Sequence, residues 1–365
     1  MIKIAVPQIN QLEKKSVLNT LESGHIASGP KTKEFEEKFS QFIGTKFAIA
    51  TSSGTAALHT ALKCLGIKEK DSVITTAFSF IATSNAILFC GAKPIFCDID
   101  PSTFNIDSYK IKKILKKNSS IKAILCVHLF GLPCNIEEIR HICKQKGLFL
   151  IEDCAQAHGA EYNHKKVGSF GDCAIFSFYA TKNMTTAEGG MITTNNKLLA
   201  SRCRQFINHG RTSNNRFSVL GYNYRPTDIT SSIGLAQLKK INSMNSRRIK
   251  NANCLTKNLK LINSITTPFA PKGYKHVFHQ YVIKTQKDRK KLIQHLLQNQ
   301  IESAIFYPMP IYRQRIYRKL GYGGLYLKNT QNICRQVLSL PVHPALKKED
   351  LEKIVRVLKK WKKSK

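Results

Sequence analysis

Lys182 lies where a lysine amine can become a nucleophile. An apolar stretch, residues 174–178, precedes it, and a turn rich in small residues, 185–190, follows it. Most lysines of the chain are expected at the surface, but a lysine at the end of a buried strand is partly desolvated, which lowers the pKa of its amine. Because a neutral amine attacks carbonyl carbons, the position of Lys182 predicts covalent catalysis.

Asp153 closes another apolar stretch, Phe149–Asp153. Ligand sites of open α/β sheets lie at the carboxyl ends of their strands. A carboxylate at such a place binds a metal ion, acts as a base or keeps a ring nitrogen protonated. Its structural alternative is to cap the helix that follows.

Two further segments are candidates for binding. Residues 51–57, Thr-Ser-Ser-Gly-Thr-Ala-Ala, stand between an apolar stretch and a helical pattern. Such a helix start exposes backbone N–H groups to an anion, although Ser and Thr are also ordinary N-caps. Residues 221–225, Gly-Tyr-Asn-Tyr-Arg, form a polar and aromatic loop that serves no predicted strand or helix.

These parts together match the needs of pyridoxal 5'-phosphate. That cofactor requires a lysine, an acid beside its pyridine nitrogen, an anion cradle and an aromatic plane over its ring. Motifs of other enzyme classes are missing from the chain, namely Gly-x-Gly-x-x-Gly, Gly-x-x-x-x-Gly-Lys-Ser/Thr, His-Glu-x-x-His and Gly-x-Ser-x-Gly. Dehydrogenase, P-loop, zincin and hydrolase functions therefore lack their usual signals.

The elements that position these residues alternate between strands and helices. From about residue 45, short apolar runs predict strands at 47–51, 72–76, 94–99, 123–128, 149–153, 174–178 and 190–194, with helical patterns between the earlier ones. This alternation predicts an α/β fold with a mostly parallel central sheet covered by helices. After residue 240 the pattern changes, so we expect a large domain over 1–240 and a smaller α+β domain over 241–365.

Composition limits the classes of partner. The 58 Lys and Arg residues outnumber 23 Asp and Glu residues, giving a net charge of +35. Nucleic acid or a membrane surface would suit this excess, but the charges are scattered in twos and threes, and we expect neither partner. No apolar run reaches the ~18 residues of a membrane helix, and no signal peptide is evident. The eleven cysteines include no zinc-site spacing, so we expect no metal, free thiols and a cytoplasmic location.

The ordered set of motifs resembles the DegT/StrS family of sugar aminotransferases, which are fold type I enzymes that use pyridoxal phosphate. The resemblance begins at Ser23-Gly24-His25-Ile26-Ala27-Ser28-Gly29-Pro30, continues through Val127-His128-Leu129-Phe130-Gly131 and ends at Leu338-Ser339-Leu340-Pro341. It spans nearly the whole chain. It implies a large cofactor-binding domain, to whose substrate pocket residues 1–30 contribute, and a small C-terminal domain.

The resemblance also implies a role for each matching residue. Lys182 would be the lysine that binds the cofactor covalently and Asp153 the partner of the pyridinium nitrogen. Gln156 would bond the ring hydroxyl, and Phe80 would stack on the ring. The phosphate would be held by Gly54, Thr55 and Ser177. Asn223 would reach the cofactor of a second subunit, which implies an obligate homodimer with shared active sites.

The family's reaction is transamination in two halves, with glutamate as donor and a nucleoside-diphosphate keto-sugar as acceptor. Residues near its sugar pocket match Ile26, Ser28, His209 and Tyr307, and segments 126–134 and 221–225 resemble perosamine-synthase-like members. Two departures are Ala187, where the family often has Gly, and Tyr179, where several members have His. The alternatives are amination of a cyclitol ketone and a non-catalytic regulatory or nucleic-acid-binding role. A sugar-dehydratase branch carries His in place of Lys182 and is disfavoured.

Overall fold

The computed structural model describes residues 1–212, 214–285 and 288–363. The last two residues of the predicted small domain thus lie outside the described residues. The strands are β1 (Phe47–Thr51), β2 (Ser72–Thr76), β3 (Lys93–Cys97), β4 (Ile121–Val127), β5 (Phe149–Asp153), β6 (Glu161–Tyr162), β7 (Lys165–Lys166), β8 (Cys173–Ser177), β9 (Gly190–Thr194), β10 (Ile265–Thr266), β11 (Tyr274–Lys275), β12 (Tyr281–Thr285) and β13 (Val337–Leu340).

The helices connect and cover these strands. They are α1 (Gln11–Glu22), α2 (Pro30–Ile43), α3 (Gly54–Cys64), α4 (Ala82–Phe89), α5 (Ser108–Leu115), α6 (Ile136–Lys146), α7 (Lys197–Phe206), α8 (Asp228–Leu238), α9 (Ile241–Leu259), α10 (Arg289–Gln298), α11 (Arg315–Tyr317), α12 (Lys328–Gln336) and α13 (Lys348–Lys363). No helix of the described residues has the length and apolar character needed to cross a bilayer.

A seven-stranded sheet in the order β1-β9-β8-β5-β4-β2-β3 forms the centre of the fold. Strands β8, β5, β4, β2 and β3 pair in parallel, whereas β9 runs antiparallel to both of its neighbours. Alternate side chains of one strand enter cores on opposite faces, as Ile151 and Leu150 of β5 do. The mostly parallel α/β sheet predicted from the apolar runs is confirmed.

A second core belongs to the C-terminal part. There β10, β12 and β13 form a small sheet, and α9, α10 and α13 contribute to one apolar cluster with it. Helix α9 enters both cores, because Ile241 packs with the large sheet and Leu255 with the small one. Ile2 pairs with Ile301 and also belongs to the C-terminal cluster. The division at residue 240 stays a prediction.

The cysteines serve these cores as small apolar side chains. All eleven are free, and all except Cys254 are buried. A buried thiol packs as a small hydrophobic group. The expectation of unpaired thiols is confirmed for this structure.

Asp228 joins the N-terminal segment to helix α8. Its buried carboxylate accepts hydrogen bonds from the backbone N–H groups of Gly29, Lys31 and Thr32 at 2.8, 3.0 and 2.9 Å. The Thr32 hydroxyl donates a further bond at 2.7 Å. A side chain of α8 thereby caps α2, which satisfies donors that no helical carbonyl can reach. The cap fixes the loop that contains Ile26 and Ser28.

We predict that Asp228→Asn lowers the free energy of unfolding by about 2–3 kcal/mol, because an amide replaces a charged acceptor of several buried hydrogen bonds. Urea denaturation would measure the change. Asp107→Asn is the matched control, since Asp107 caps only its own helix α5 and should cost under about 1 kcal/mol. Equal losses in the two variants would contradict the special role of Asp228.

Candidate active site

A cavity of about 490 Å³ lies where the carboxyl ends of β5 and β8 meet the start of α3. Residues near the central sheet and residues of the C-terminal part both contribute to its wall. The residues predicted from sequence that line it are Gly54, Thr55, Phe80, Asp153, Gln156, Ser177, Lys182 and Tyr307. Residues separated by as much as about two thirds of the chain are therefore brought to one place.

Lys182 reaches this cavity from the loop after β8. Its backbone N–H donates to the carbonyl of Tyr179 at 2.9 Å, which closes a tight turn. Burial lowers the pKa of its amine to about 8, although the nearby Asp153 acts in the opposite direction. The neutral amine is therefore a minor but accessible species near physiological pH, and nucleophilic and basic roles require this neutral form.

Asp153 faces the same cavity and is almost completely buried. The Thr83 hydroxyl donates to its Oδ2 at 2.8 Å, and the Ala155 N–H donates to its Oδ1 at 3.1 Å. Burial raises the pKa of this carboxyl group, whereas the two hydrogen bonds and Lys182 favour its ionised form. A buried carboxylate with only neutral hydrogen-bond donors is suited to a cationic ring nitrogen.

The start of α3 forms an anion cradle. Ser53 is the N-cap, and its hydroxyl accepts from the Ala56 N–H at 3.1 Å. The N–H groups of Gly54 and Thr55 belong to the first turn, where no helical carbonyl is in reach, and both residues line the cavity. A Cβ on residue 54 would lie 2.8 Å from the Ser177 Cβ. Glycine is thus required for the cradle to approach β8.

Gln156 and Tyr307 form the next part of the wall. The Phe130 N–H donates to Gln156 Oε1 at 2.7 Å, which fixes the orientation of the amide. Gln156 Nε2 then donates to the Tyr307 hydroxyl at 3.1 Å and keeps a second hydrogen. Phe80 stands at the rim with 58% of its surface exposed. An amide donor and an exposed ring are the groups that a planar cofactor requires.

These groups fit pyridoxal phosphate. The cradle offers N–H donors to a phosphate, Asp153 offers a carboxylate to the ring nitrogen, and Lys182 offers an amine to the carbonyl carbon. Because residue 54 has no side chain, the start of α3 can lie against Ser177, and Gly54 and Thr55 line the cavity.

Four predicted residues do not line the cavity. Ser28 borders a separate groove, which Arg225 and Asn208 also line. Asn223 forms a backbone bridge with Asn208, the His209 N–H donates to the Tyr222 carbonyl, and Ile26 is half exposed. Ile26, Ser28, His209 and Asn223 are therefore not among the residues that line the Lys182 cavity of this subunit.

The motif at residues 127–131 has a structural role. His128 Nδ1 accepts from the Cys134 N–H at 2.9 Å, so the ring proton is on Nε2, which donates to Glu152 at 3.0 Å. Glu152 also accepts from the N–H groups of residues 168, 170 and 171. His128, Glu152 and Cys154 lie close enough to ligate a metal ion. Hydrogen bonds already occupy the imidazole of His128 and the carboxylate of Glu152.

Several cavity residues were not predicted from sequence as site residues. They are Ser79, Thr83, Phe130, Thr181, Glu188, His279 and Gln280, among others. Thr83 follows Phe80 by three positions at the start of α4, and this helical spacing is the signal that would have found it. His279 and Gln280 come from the loop before β12, which no local motif marks.

Comparisons with known proteins agree with this geometry. The DegT/DnrJ/EryC1/StrS aminotransferase family profile matches residues 7–359. The chain belongs to this family. It is accordingly an aminotransferase that depends on pyridoxal phosphate, and the resemblance noted in the sequence is confirmed.

Individual relatives cover almost the full length. GDP-perosamine synthase of Escherichia coli O157:H7 is 39% identical over 92% of this chain and 95% of its own. Helicobacter pylori PseC, an aminotransferase involved in the biosynthesis of pseudoaminic acid, has a TM-score of 0.95 at 30% identity and 100% coverage of both chains. The PLP-form of the putative sugar aminotransferase Spr1654 from Streptococcus pneumoniae has a TM-score of 0.94 at 27% identity, covering 99% of this chain and 98% of its own.

The structure explains one departure from the family pattern. Ala187 has φ = 70°, in the left-handed region where a Cβ costs ~1–2 kcal/mol and glycine does not. The Thr185 hydroxyl accepts from its N–H at 2.9 Å and donates to the Phe178 carbonyl at 2.9 Å, holding the turn. The glycine often found in the family at this place therefore has a conformational reason. Tyr179 is half exposed and lines the cavity.

We predict that Ala187→Gly raises the free energy of unfolding by ~0.5–1 kcal/mol, because relief of the left-handed strain exceeds the added freedom of the unfolded chain. Denaturant titration of the two proteins would measure it. Ala180→Gly is the control, because Ala180 is not among the residues with positive φ and its replacement should only destabilise. A loss of stability in Ala187→Gly would contradict the prediction.

We predict a second, pH-dependent property of the cofactor-free protein. Acetic anhydride acylates only neutral amines, so the acylation rate of Lys182 should rise about tenfold per pH unit up to pH 8 and then level off, following the pKa of about 8. Mass spectrometry of the Lys182 peptide would give the rate. In urea the same peptide should level off only near the ordinary lysine pKa of ~10.4. Identical profiles in the folded and unfolded protein would contradict a lowered pKa.

Proposed function

We propose that this aminotransferase moves an amino group from glutamate to a keto-sugar carried on a nucleoside diphosphate. The main support for this proposal is the cavity that Lys182, Asp153 and the N–H groups at the start of α3 line together. The relatives named for perosamine and pseudoaminic acid support a sugar acceptor. Glutamate is the amino donor that the family resemblance implies.

In this proposal each cavity residue has one task toward the cofactor. Gly54, Thr55 and Ser177 bind its phosphate, Asp153 keeps its ring nitrogen protonated, and Phe80 stacks on the ring. The Nε2 hydrogen of Gln156 that Tyr307 does not use donates to the ring hydroxyl. When bound, pyridoxal phosphate supplies an electron sink and a carbonyl group that carries nitrogen between the two substrates.

Lys182 moves the proton. Once its amine is free, Nζ takes a proton from the substrate carbon and returns it to the cofactor side, as general base and then general acid. A pKa of about 8 allows both directions near neutral pH. Asp153 assists by favouring the positive charge on this side of the cavity.

The active unit is proposed to be a homodimer in the cytoplasm. Four predicted site residues do not line the Lys182 cavity of their own subunit, namely Ile26, Ser28, His209 and Asn223. In a homodimer these residues would reach the cofactor and the sugar bound to the other subunit. Arg225 lines the same groove as Ser28 and would accompany them. The free cysteines support a reducing compartment.

Within this class, a perosamine-synthase-like reaction at a 4-keto-6-deoxyhexose is our specific proposal. It is supported by the 39% identity to a GDP-perosamine synthase. The competing acceptors are 3-keto-sugars, sugars on UDP or dTDP, and a cyclitol ketone. A non-catalytic or nucleic-acid-binding role is disfavoured, because the lysine, the acid and the anion cradle are all in place.

We predict that Lys182→Ala abolishes turnover and leaves the fold intact, because no other group lining the cavity is an amine. Turnover with glutamate and the keto-sugar would be measured beside thermal unfolding. Lys197→Ala, at an exposed position of α7, is the control and should keep full activity. Retained turnover in Lys182→Ala would reject the assignment.

The first experiment on the substrates is an absorption spectrum of the purified protein before and after glutamate is added. The yellow colour of the loaded protein should fade with glutamate and return when the correct keto-acceptor follows. GDP-, UDP- and dTDP-linked keto-sugars and a cyclitol ketone form the panel. A protein that glutamate does not bleach has another amino donor, and recovery with the cyclitol alone would replace the sugar proposal.

A further inference from the structure

His279 is a cavity residue that neither the motifs nor the cofactor requirements explain. It lies in the loop between β11 and β12, has 6% of its surface exposed and lines the cavity together with Lys182. Its backbone is fixed from two sides. Arg248 Nη1 donates to the carbonyls of Phe278 and His279 at 3.3 and 3.5 Å, and Val277 N–H donates to the Gly131 carbonyl at 3.0 Å.

Hydrogen bonding determines which nitrogen of His279 carries the proton. Asn183 Nδ2 donates to Asn245 Oδ1 at 2.9 Å and to the Val277 carbonyl at 3.1 Å. Asn183 Oδ1 is therefore an acceptor, and His279 Nδ1, at 3.3 Å from it, must be the donor. In a neutral ring Nε2 is then unprotonated. Because the side chain is otherwise enclosed, the cavity is where this lone pair finds a partner.

The surroundings keep the ring neutral. Burial lowers the pKa of His279 well below its ordinary value, and the positive charges of Lys182 and Arg248 act in the same direction, as do the neighbouring His158 and His276. A ring of this kind is a poor proton acceptor in catalysis but a lasting hydrogen-bond acceptor.

We propose that His279 Nε2 accepts a hydrogen bond from a hydroxyl group of the keto-sugar, and that it is a specificity-determining residue of the second half-reaction. This assignment rests on the proposed function. The first substrate gives no reason for such an acceptor, because the groups of glutamate that stay free during the reaction are carboxylates, which have no proton to donate. A sugar presents several hydroxyl donors.

The assignment predicts an asymmetric loss. Asn at position 279 keeps a donor toward Asn183 and lacks the distant acceptor, whereas Gln keeps an acceptor near the place of Nε2. His279→Asn should change the rate constant of the glutamate half-reaction by no more than about twofold. It should lower the second-order rate constant for reaction with the keto-sugar by about 10- to 100-fold, the range for one lost hydrogen bond at a buried site. His279→Gln should recover part of this loss.

Single-turnover absorbance changes with glutamate, and then with the keto-sugar, would separate the two half-reactions. His276→Asn is the matched control, because His276 is equally buried but does not line this cavity. With the wild type, a keto-sugar analogue that lacks the hydroxyl beside the ketone should react ~10-fold more slowly than the full keto-sugar. With His279→Asn the analogue and the full keto-sugar should react at the same rate. Equal losses in both half-reactions, or no difference between Asn and Gln, would overturn the assignment.

A second readout does not depend on turnover. In the cofactor-free protein, nitrogen-15 chemical shifts of histidine should show one ring with Nδ1 protonated and Nε2 unprotonated from pH 6 to 8, missing in His279→Asn. Protonation of Nε2 in that range would overturn the assignment. Wild-type enzyme that accepts no nucleotide-linked keto-sugar would overturn the proposed function and this inference with it, whereas an active wild type and an unaffected His279→Asn would overturn the inference alone.

Discussion

Burial of Asp153 and Lys182 in one cavity is the constraint on which the site depends. Burial favours the neutral form of both groups, since it raises the pKa of the acid and lowers that of the amine, whereas each ion favours the charge of the other. The balance leaves the amine able to gain and lose a proton near neutrality. Strands β5 and β8 bring Asp153 and Lys182 together, because they are parallel neighbours with Asp153 opposite Ile175. Both strands therefore end at the same edge of the sheet.

The acid is held in place by its own neighbour in sequence. Side chains of a strand alternate between the faces of a sheet, so Glu152 points away from the cavity that Asp153 enters. Its carboxylate accepts three backbone N–H groups of the loop before β8 as well as the His128 ring. The consecutive acids thus divide the work: one fixes the loop that leads into β8, and the other meets the cofactor. Removing a buried charge from such a set would leave several polar groups unpaired.

Much of this arrangement could be predicted from the sequence, because it rests on local signals. The buried parallel strands are continuous apolar runs, and five predicted ranges, including 47–51 and 149–153, agree with the observed strands to within one residue. The cradle and the lysine follow strand ends and were found for that reason. Thr83 and His279 were missed because their contacts join residues 70 and 96 positions apart, and nothing local encodes such distances. Ala187 was noted only as a departure, since φ is not visible in a residue name.

The cavity wall divides between the two cores in a way that suits two substrates. The groups that fit the cofactor come from strands β5 and β8 and from α3, which pack in the large core. Tyr307, His279 and Gln280 come from the C-terminal part. The backbone around His279 and Gln280 is held by contacts to Phe130, Gly131 and Arg248. Substitutions in the C-terminal part can therefore alter which acceptor fits, while Lys182 and Asp153 keep their positions. The tautomer of His279 links the two parts of the wall, because Asn183, the residue that follows Lys182, imposes it through its side-chain oxygen.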